Sequence, residues 1–267
     1  MTPPLDEFKA RQRAMWDAGD YCSLSPHIAD VGELVAERAG VHAGMTVLDV
    51  ACGTGNAARP AARLGGRVTA LDLVPKLLRA GRAKAENEGL EIEWREGDAE
   101  ELPFENGRFD RVLSTFGHMF APHHQRTAHE MARVCKRGGM VVTATWTPEG
   151  VAGEIFKASS AFMPPPPDFA SPAILWGREE HDRQLFADVA TGFTFERHVN
   201  RIDWESLESF RDFFMSRFPP LVTARGMLGE RFSELEAQIV DIWQRRNEGT
   251  GGRFRLPQEY LLSIVRL

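Results

Sequence analysis

The stretch Val47–Asn56, read Val-Leu-Asp-Val-Ala-Cys-Gly-Thr-Gly-Asn, constrains what this chain can fold into more than any other. Val47, Leu48, Val50 and Ala51 make a buried strand. It breaks at Gly53 and Gly55 and runs on into the helix-compatible segment Asn56–Leu64. Such a turn lets backbone N–H groups approach a ligand with no Cβ atoms in the way. From Thr46 onward strand and helix patterns alternate. Strands are expected at 46–51, 67–71, 91–96, 109–114, 140–146, 193–203 and 259–266, and helices at 56–64, 75–88 and 122–136. This alternation predicts right-handed βαβ units and a mainly parallel sheet, in which ligands bind at the carboxyl ends of the strands. Pro60 is at odds with the pattern, because inside 56–64 it removes a donor and should distort the first turns.

Two cofactor classes use such a turn. Gly53-Thr54-Gly55-Asn56-Ala57-Ala58 fits G-x-G-x-x-G/A, with Asp72 at about the distance of a ribose-binding acid in a dinucleotide site. Asp49 shifts the balance: a carboxylate inside the strand suits a ligand carrying an ammonium and a sulfonium, and sits poorly beside a pyrophosphate. The phrase D-x-x-C-G-T-G at Asp49–Gly55, with Asp72 closing the next strand, resembles motif I and the acidic partner of class I S-adenosylmethionine (SAM) methyltransferases. Gly97-Asp98-Ala99 with Leu102-Pro103-Phe104 resembles the GDA-x-x-LPF segment of ubiquinone/menaquinone-type (UbiE-like) methyltransferases. Phe109–Phe116 resembles the fourth strand, whose end touches both SAM and acceptor. Arg133–Gly139 resembles the R-V-L-K-P-G-G turn before strand five, with Arg137 replacing the proline.

The resemblance covers roughly residues 44–146 closely and the later strands loosely. It implies an α/β, Rossmann-like sheet of seven strands, the last antiparallel, with helical cap insertions. It implies SAM as cofactor and a binding set of Asp49, Ala51, Gly53, Gly55, Asn56, Asp72, Leu73, Asp98, Ala99 and Thr115, joined by Tyr21. Asp72 would bind both ribose hydroxyls and Asp98 would accept from the adenine amino group; a turn or N-cap role is the alternative for Asp98.

Composition narrows the partner. A net charge of −6 over 267 residues argues against an electrostatic nucleic-acid binder, and the [DNS]-P-P-[YFW] signature of nucleic-acid amine methylation is absent. No apolar run approaches the roughly 20 residues of a membrane span. The start, Met-Thr-Pro-Pro-Leu-Asp-Glu, lacks a signal-peptide pattern, and Cys22, Cys52 and Cys135 are unclustered, which points to a reducing cytoplasm.

Around the core (44–146) the sequence divides into an amino-terminal helical arm (1–43), a Pro/Gly-rich cap segment (147–177), a core helix and strand (178–205), a helical lid (206–250) and a last strand (251–267). In the arm, 5–17 reads as a helix and Ser25-Pro26 as an N-cap with proline at the first helical position. Trp16–Tyr21 either folds over the glycine turn, presenting aromatic faces to a cation, or anchors the arm. Residues 147–177 read as irregular chain, with polyproline II at Pro164–Pro167, followed by a helix at 179–189. The lid offers two amphipathic helices, one with Leu207, Phe210, Phe213 and Phe214, the other with Phe232, Leu235, Ile239, Ile242 and Trp243.

Methyl transfer from a sulfonium needs a general base only when the acceptor must lose a proton. His118 and Glu149, just beyond strands four and five, are the candidates for that role or for positioning, with Asp168 behind them. His118, His123, His124 and His129 lack the spacing of a helical zinc site and have no cysteine pair, so no metal is expected. Phe116, Phe120, Trp146, Phe156, Phe162 and Trp176 supply aromatic surface near the site. The function expected is SAM-dependent methylation of a small, partly apolar molecule. The rivals are a nicotinamide-dependent oxidoreductase, a SAM-binding protein without turnover, and a macromolecular methyltransferase, for which charge and the absent amine-methylation signature count against nucleic acid and leave protein acceptors open.

Overall fold

The computed structural model describes residues 5–267, so the first four residues of the expected arm lie outside it. The arm consists of α1 (Leu5–Ala18), the single turn α2 (Tyr21–Leu24), a 3₁₀ turn at Ser25–Ile28 and α3 (Ala29–Arg38). Pro26 occupies the first turn of the 3₁₀ segment, but Ser25 does not cap it. The Ser25 hydroxyl donates instead to Cys22 O (3.2 Å) and accepts from the Thr54 hydroxyl (2.8 Å), tying the arm to the glycine turn.

The sheet alternates with its helices as expected. In chain order these are β1 (Thr46–Val50), α4 (Ala58–Arg63), β2 (Arg67–Asp72), α5 (Pro75–Asn87), β3 (Ile92–Glu96), β4 (Phe109–Thr115), α6 (His124–Val134) and β5 (Cys135–Trp146). Beyond β5 come α7 (Val151–Ser160), α8 (Glu179–Leu185), β6 (Gly192–Trp204), α9 (Leu207–Arg217), α10 (Pro219–Leu228), α11 (Phe232–Arg246) and β7 (Phe254–Arg266). The spatial order is β3-β2-β1-β4-β5-β7-β6, with β7 antiparallel to both neighbours. Strand order reverses between β1 and β4, whose carboxyl ends therefore flank the crevice where open α/β sheets take ligands.

Four expectations are corrected. Helix α4 starts at Ala58 rather than Asn56, so Pro60 falls in the first turn, where no N–H is needed, and the expected distortion is absent. Strands β5 and β7 each begin five residues early: Cys135 pairs with Phe109, a bulge between Phe109 and Arg111 absorbing the Gly138-Gly139 turn, and β7 starts at Phe254 because its pairing with β6 runs on past the sheet to Trp204. Residues 147–177 contain α7, which the surrounding prolines and glycines concealed. The lid holds three helices, because Pro219 serves as the first residue of α10 instead of ending α9.

Two cores result. The larger lies on the sheet, around Val47, Leu48, Leu71, Leu113, Val141 and Leu262. The smaller joins the lid to the far end of the β6–β7 ribbon, through Phe210, Leu235, Ile239, Trp243 and Phe254. The ribbon pairs along its full length, yet only Tyr260–Arg266 also pairs with β5. Its outer half projects past the sheet and carries the lid, whose first helix is set by a reciprocal capping box between Ser206 and Ser209.

Candidate active site

At the carboxyl ends of β1, β2 and β4 lies a cavity of about 110 Å³. Tyr21, Ala51, Gly53, Asn56, Asp72, Leu73, Asp98, Ala99 and Thr115, nine of the residues singled out from sequence, line it. Asp72 is held at its centre. One carboxylate oxygen accepts from Gly53 N (2.7 Å), the other from Val74 N (2.9 Å), and each retains a lone pair. Burial pushes its pKa up to about 6, against the opposing effect of those backbone donors. Gly53 has φ +56°, and a Cβ there would come within 3.2 Å of Tyr21 Cε1. Asn56 donates to Ser25 O (2.8 Å) but leaves its buried Oδ1 without a partner.

Two expected members are placed otherwise. Asp49 has no exposure and does not line the cavity; its Oδ2 accepts from Ala58 N (2.8 Å) at the start of α4. Burial raises its pKa to about 8. It supports the loop from beneath rather than facing a ligand's ammonium, because the strand's alternation turns it toward the helix. Gly55 (φ +80°) also stands outside the lining, and a Cβ there would lie 2.7 Å from the Trp94 ring. That glycine serves packing.

Asp98 lies between the two readings left open for it. Its Oδ1 accepts from Glu100 N (2.8 Å), the turn role, while its Oδ2 takes Lys9 Nζ at 2.6 Å. Lys9 also reaches the buried Glu100 at 2.6 Å, and Gln12 donates to Phe120 O at 2.6 Å, so α1 is drawn down over this end of the cavity. Arg133 fixes the adjoining Leu102-Pro103-Phe104 turn by donating to the carbonyls of Leu102 and Phe104 while paired with Glu130.

A second cavity, of about 260 Å³, adjoins the first and shares Trp16, Tyr21, Phe116 and Phe120 with it. Its walls come from the arm, α7, the lid and the β6–β7 ribbon, and no Asp, Glu, Lys or Arg lines it among the described residues. At the junction Ala51 (φ +52°) and Phe116 (φ +60°) both hold the left-handed conformation. For a non-glycine residue this costs of order 1–3 kcal/mol and clusters at functional sites. It turns the Phe116 ring onto Trp146, stacked at 3.8 Å, and no pattern of residue types announces it. Trp16 packs edge-on against Tyr21 (5.6 Å) and Phe120 (4.9 Å), so the Trp16–Tyr21 segment both anchors the arm and borders the cavities. Phe156 joins Trp146 in the wall, whereas Phe162 packs against the smaller core and Trp176 is wholly buried.

The expected bases are elsewhere. His118 has no exposure and lines neither cavity. Ser114 Oγ donates to Val50 O (2.6 Å), so its contact with His118 Nδ1 (3.0 Å) is N–H donation, leaving Nε2 to accept from Thr145 Oγ1 (3.3 Å). Burial, with His124 nearby, lowers its pKa to about 3. A neutral His118 thus stitches β1, β4 and β5 together. Glu149 is an exposed residue facing Arg197 (3.6 Å), and Asp168 is exposed on the cap segment. Among the four histidines, His124 meets His181 (2.9 Å) and His123 meets Glu100; no group of three or more metal-capable side chains occurs among the described residues.

Residues 47–139 match the family model described as a methyltransferase domain. Over 235 residues, 86% of each chain, the sequence is 41% identical to protein Rv1403c of Mycobacterium tuberculosis (strain ATCC 25618 / H37Rv). Over 108 residues, 39% of this chain and 42% of the other, it is 42% identical to the ubiquinone/menaquinone biosynthesis C-methyltransferase UbiE of Bordetella parapertussis. The structure of a putative methyltransferase from Bacillus halodurans C-125 superposes with a TM-score of 0.57 at 22% identity, covering 87% of this chain and 96% of that one. The chain belongs to the class I SAM-dependent methyltransferases. Its cofactor is SAM.

The residues present fit that cofactor. Asp72 offers a bidentate acceptor for vicinal hydroxyls, Asn56 Oδ1 is an unpartnered acceptor, and aromatic rings border the space for a sulfonium. A dinucleotide fits poorly, because Asp49 already occupies the amino terminus of α4, where a pyrophosphate would sit. Lys9, the one basic side chain of the lining among the described residues, is committed to two carboxylates.

Proposed function

We propose that this enzyme methylates a small, uncharged, largely apolar acceptor that occupies the 260 Å³ cavity. The carrying observation is that cavity itself: it adjoins the cofactor cavity, has four aromatic side chains in common with it, and is lined by no charged residue among those described. A zwitterionic or anionic acceptor would lose its hydration there with no countercharge, which is costly.

Bound SAM supplies an electrophilic methyl group on a sulfonium. On this reading Asp72 takes the ribose hydroxyls, with Leu73 and Ala99 against the adenosyl group. Tyr21, Ala51, Gly53, Asn56 and Thr115 surround the methionyl end. Asp98, with one contact on each oxygen, keeps a lone pair for an adenine amino group while Lys9 and the Glu100 N–H hold it in place. Burial, reinforced by Asp72 and Asp49, raises the pKa of Tyr21, so its phenol stays protonated at the junction. Among the described residues no base lies where the cavities meet. The acceptor therefore arrives ready to attack, and the protein contributes alignment and exclusion of water. The arm and the helical lid close the space from two sides, as a cap over the 44–146 core. The three cysteines are free thiols, in keeping with work in a reducing compartment.

The test is transfer of isotopic methyl from SAM to a panel of uncharged aromatic and alicyclic compounds, amino acids, transfer RNA and an unfolded protein. Label is expected in the uncharged compounds alone. Label in amino acids or macromolecules would refute the assignment.

A further inference from the structure

The acceptor cavity is not uniformly apolar. Besides Tyr21 at the junction, its polar lining consists of His27, Ser159, Thr223 and Gln258. Ser159 and Thr223 are single hydroxyls on separate helices, α7 and α10, where each can turn back to a carbonyl of its own helix. His27 and Gln258 differ. The His27 backbone carbonyl accepts from Asn200 Nδ2 (3.1 Å), and Asn200 is the Cα partner of Gln258 across the β6–β7 ribbon. Arm and ribbon are thereby tied so that both side chains belong to one wall. The His27 ring is set by Trp204 (centroids 5.0 Å apart) and Phe213 (5.6 Å, edge-on). Gln258 stands on the same face of β7 as Leu256 and Tyr260, both buried.

Neither ring nitrogen of His27 nor the Gln258 amide has a hydrogen-bond partner among the described residues, although both groups are half-buried against apolar surface. A ligand that fills the cavity and excludes water from such groups must replace their hydrogen bonds or lose binding free energy. In ligand pockets a few such groups in an apolar lining fix orientation and specificity. Neither residue lines the cofactor cavity, so both lie away from the methyl junction. Burial lowers the pKa of His27, leaving it a neutral imidazole with one donor and one acceptor.

We propose that His27 and Gln258 form a polar anchor that binds a neutral hydroxyl or carbonyl group on the acceptor, at the end remote from the atom that receives the methyl. The acceptor class is then an apolar body bearing at least one uncharged hydrogen-bonding group besides its nucleophilic atom. This rests on the assignment of the apolar cavity to the acceptor.

The experiment titrates the full chain, saturated with S-adenosylhomocysteine, with 2-naphthol and with naphthalene. The native protein is expected to bind 2-naphthol at least tenfold more tightly. In the double variant His27→Phe/Gln258→Leu, 2-naphthol affinity should fall to the naphthalene level, with naphthalene affinity and S-adenosylhomocysteine affinity within twofold of native. Gln258→Leu alone, which leaves the arm untouched, should remove at least a threefold part of the preference and keeps the test decisive if the double variant is unstable. Equal native affinities for both probes, or a preference surviving in the variants, would overturn the anchor while leaving the cavity assignment standing. No binding of either probe to the native protein would overturn the cavity assignment, and the anchor with it.

Discussion

The two adjoining cavities are built by opposite means. The adenosyl cavity is floored by strand ends and the turns that follow them, with α1 and Tyr21 laid over them, and its key polar group, Asp72, is gripped by two backbone N–H donors. The acceptor cavity is lined by side chains from helices and a ribbon that approach from distant parts of the chain, and its His27 ring and Gln258 amide have no hydrogen-bond partner among the described residues. One is a fixed socket of backbone and carboxylate; the other is a hydrophobic chamber whose shape depends on how the lid packs. On the proposed function the socket serves the cofactor common to the family, so discrimination between acceptors falls to the chamber.

The largest effect is expected at Gly53, in the socket alone. Gly53→Val adds a side chain at φ +56°, against Tyr21. S-adenosylhomocysteine affinity should fall at least about a hundredfold, with melting showing a cost of order 1–3 kcal/mol for the strained backbone. Unchanged affinity by calorimetry would remove the glycine turn from the site. Next comes Asp72→Asn, which keeps one acceptor oxygen but loses the charge. Affinity for the adenosyl ligand should drop by about 1.5–3 kcal/mol, in the range of hydrogen bonds to charged groups. Naphthalene binding should stay within twofold; an equal loss of both would mean that the two cavities are not separable.

The converse substitution is Ala152→Phe, on α7 in the wall of the chamber. It should lower acceptor turnover about tenfold, with adenosyl binding unaltered and a stability cost of about 1–3 kcal/mol if the wall is overpacked. A variant with normal turnover would show that the acceptor sits elsewhere.

The smallest effect concerns pH. The pKa of Asp72 is raised by burial to about 6, and its carboxylate is the form that accepts from both hydroxyls. S-adenosylhomocysteine affinity should therefore fall as pH drops through about 6, by up to about tenfold between pH 7 and pH 5, while naphthalene affinity stays flat. The stability sign runs the other way. A folded-state pKa above the unfolded value favours the protonated form, so the ligand-free protein loses stability from this group as pH rises from about 4 to about 6. Parallel pH profiles for the two ligands would show that the chamber also depends on a titrating group.

Much of the socket was legible because its chemistry is local. Asp49, Gly53, Gly55 and Asp72 lie within or beside one βαβ unit, and short-range spacing carries the pattern. Legibility stopped at the direction each group faces. Asp49 was expected against the ligand and caps α4 instead, and Gly55 makes room for Trp94. His118 illustrates the same limit. Its place just after β4 suggested reactivity, but the 3₁₀ turn at His118–Phe120 buries the ring between β4 and β5, where it holds strands together.

The sheet, the cofactor turn and the acidic residue after it follow from local pattern, because alternating apolar runs and glycine breaks act through neighbours along the chain. The chamber exists only in the folded molecule. Tyr21, His27, Phe116, Phe156, Phe214 and Gln258 are brought to one space by the β6–β7 ribbon and the lid it carries. Side chains so far apart in sequence leave no periodic trace, since what they share is a surface created only when the helices pack.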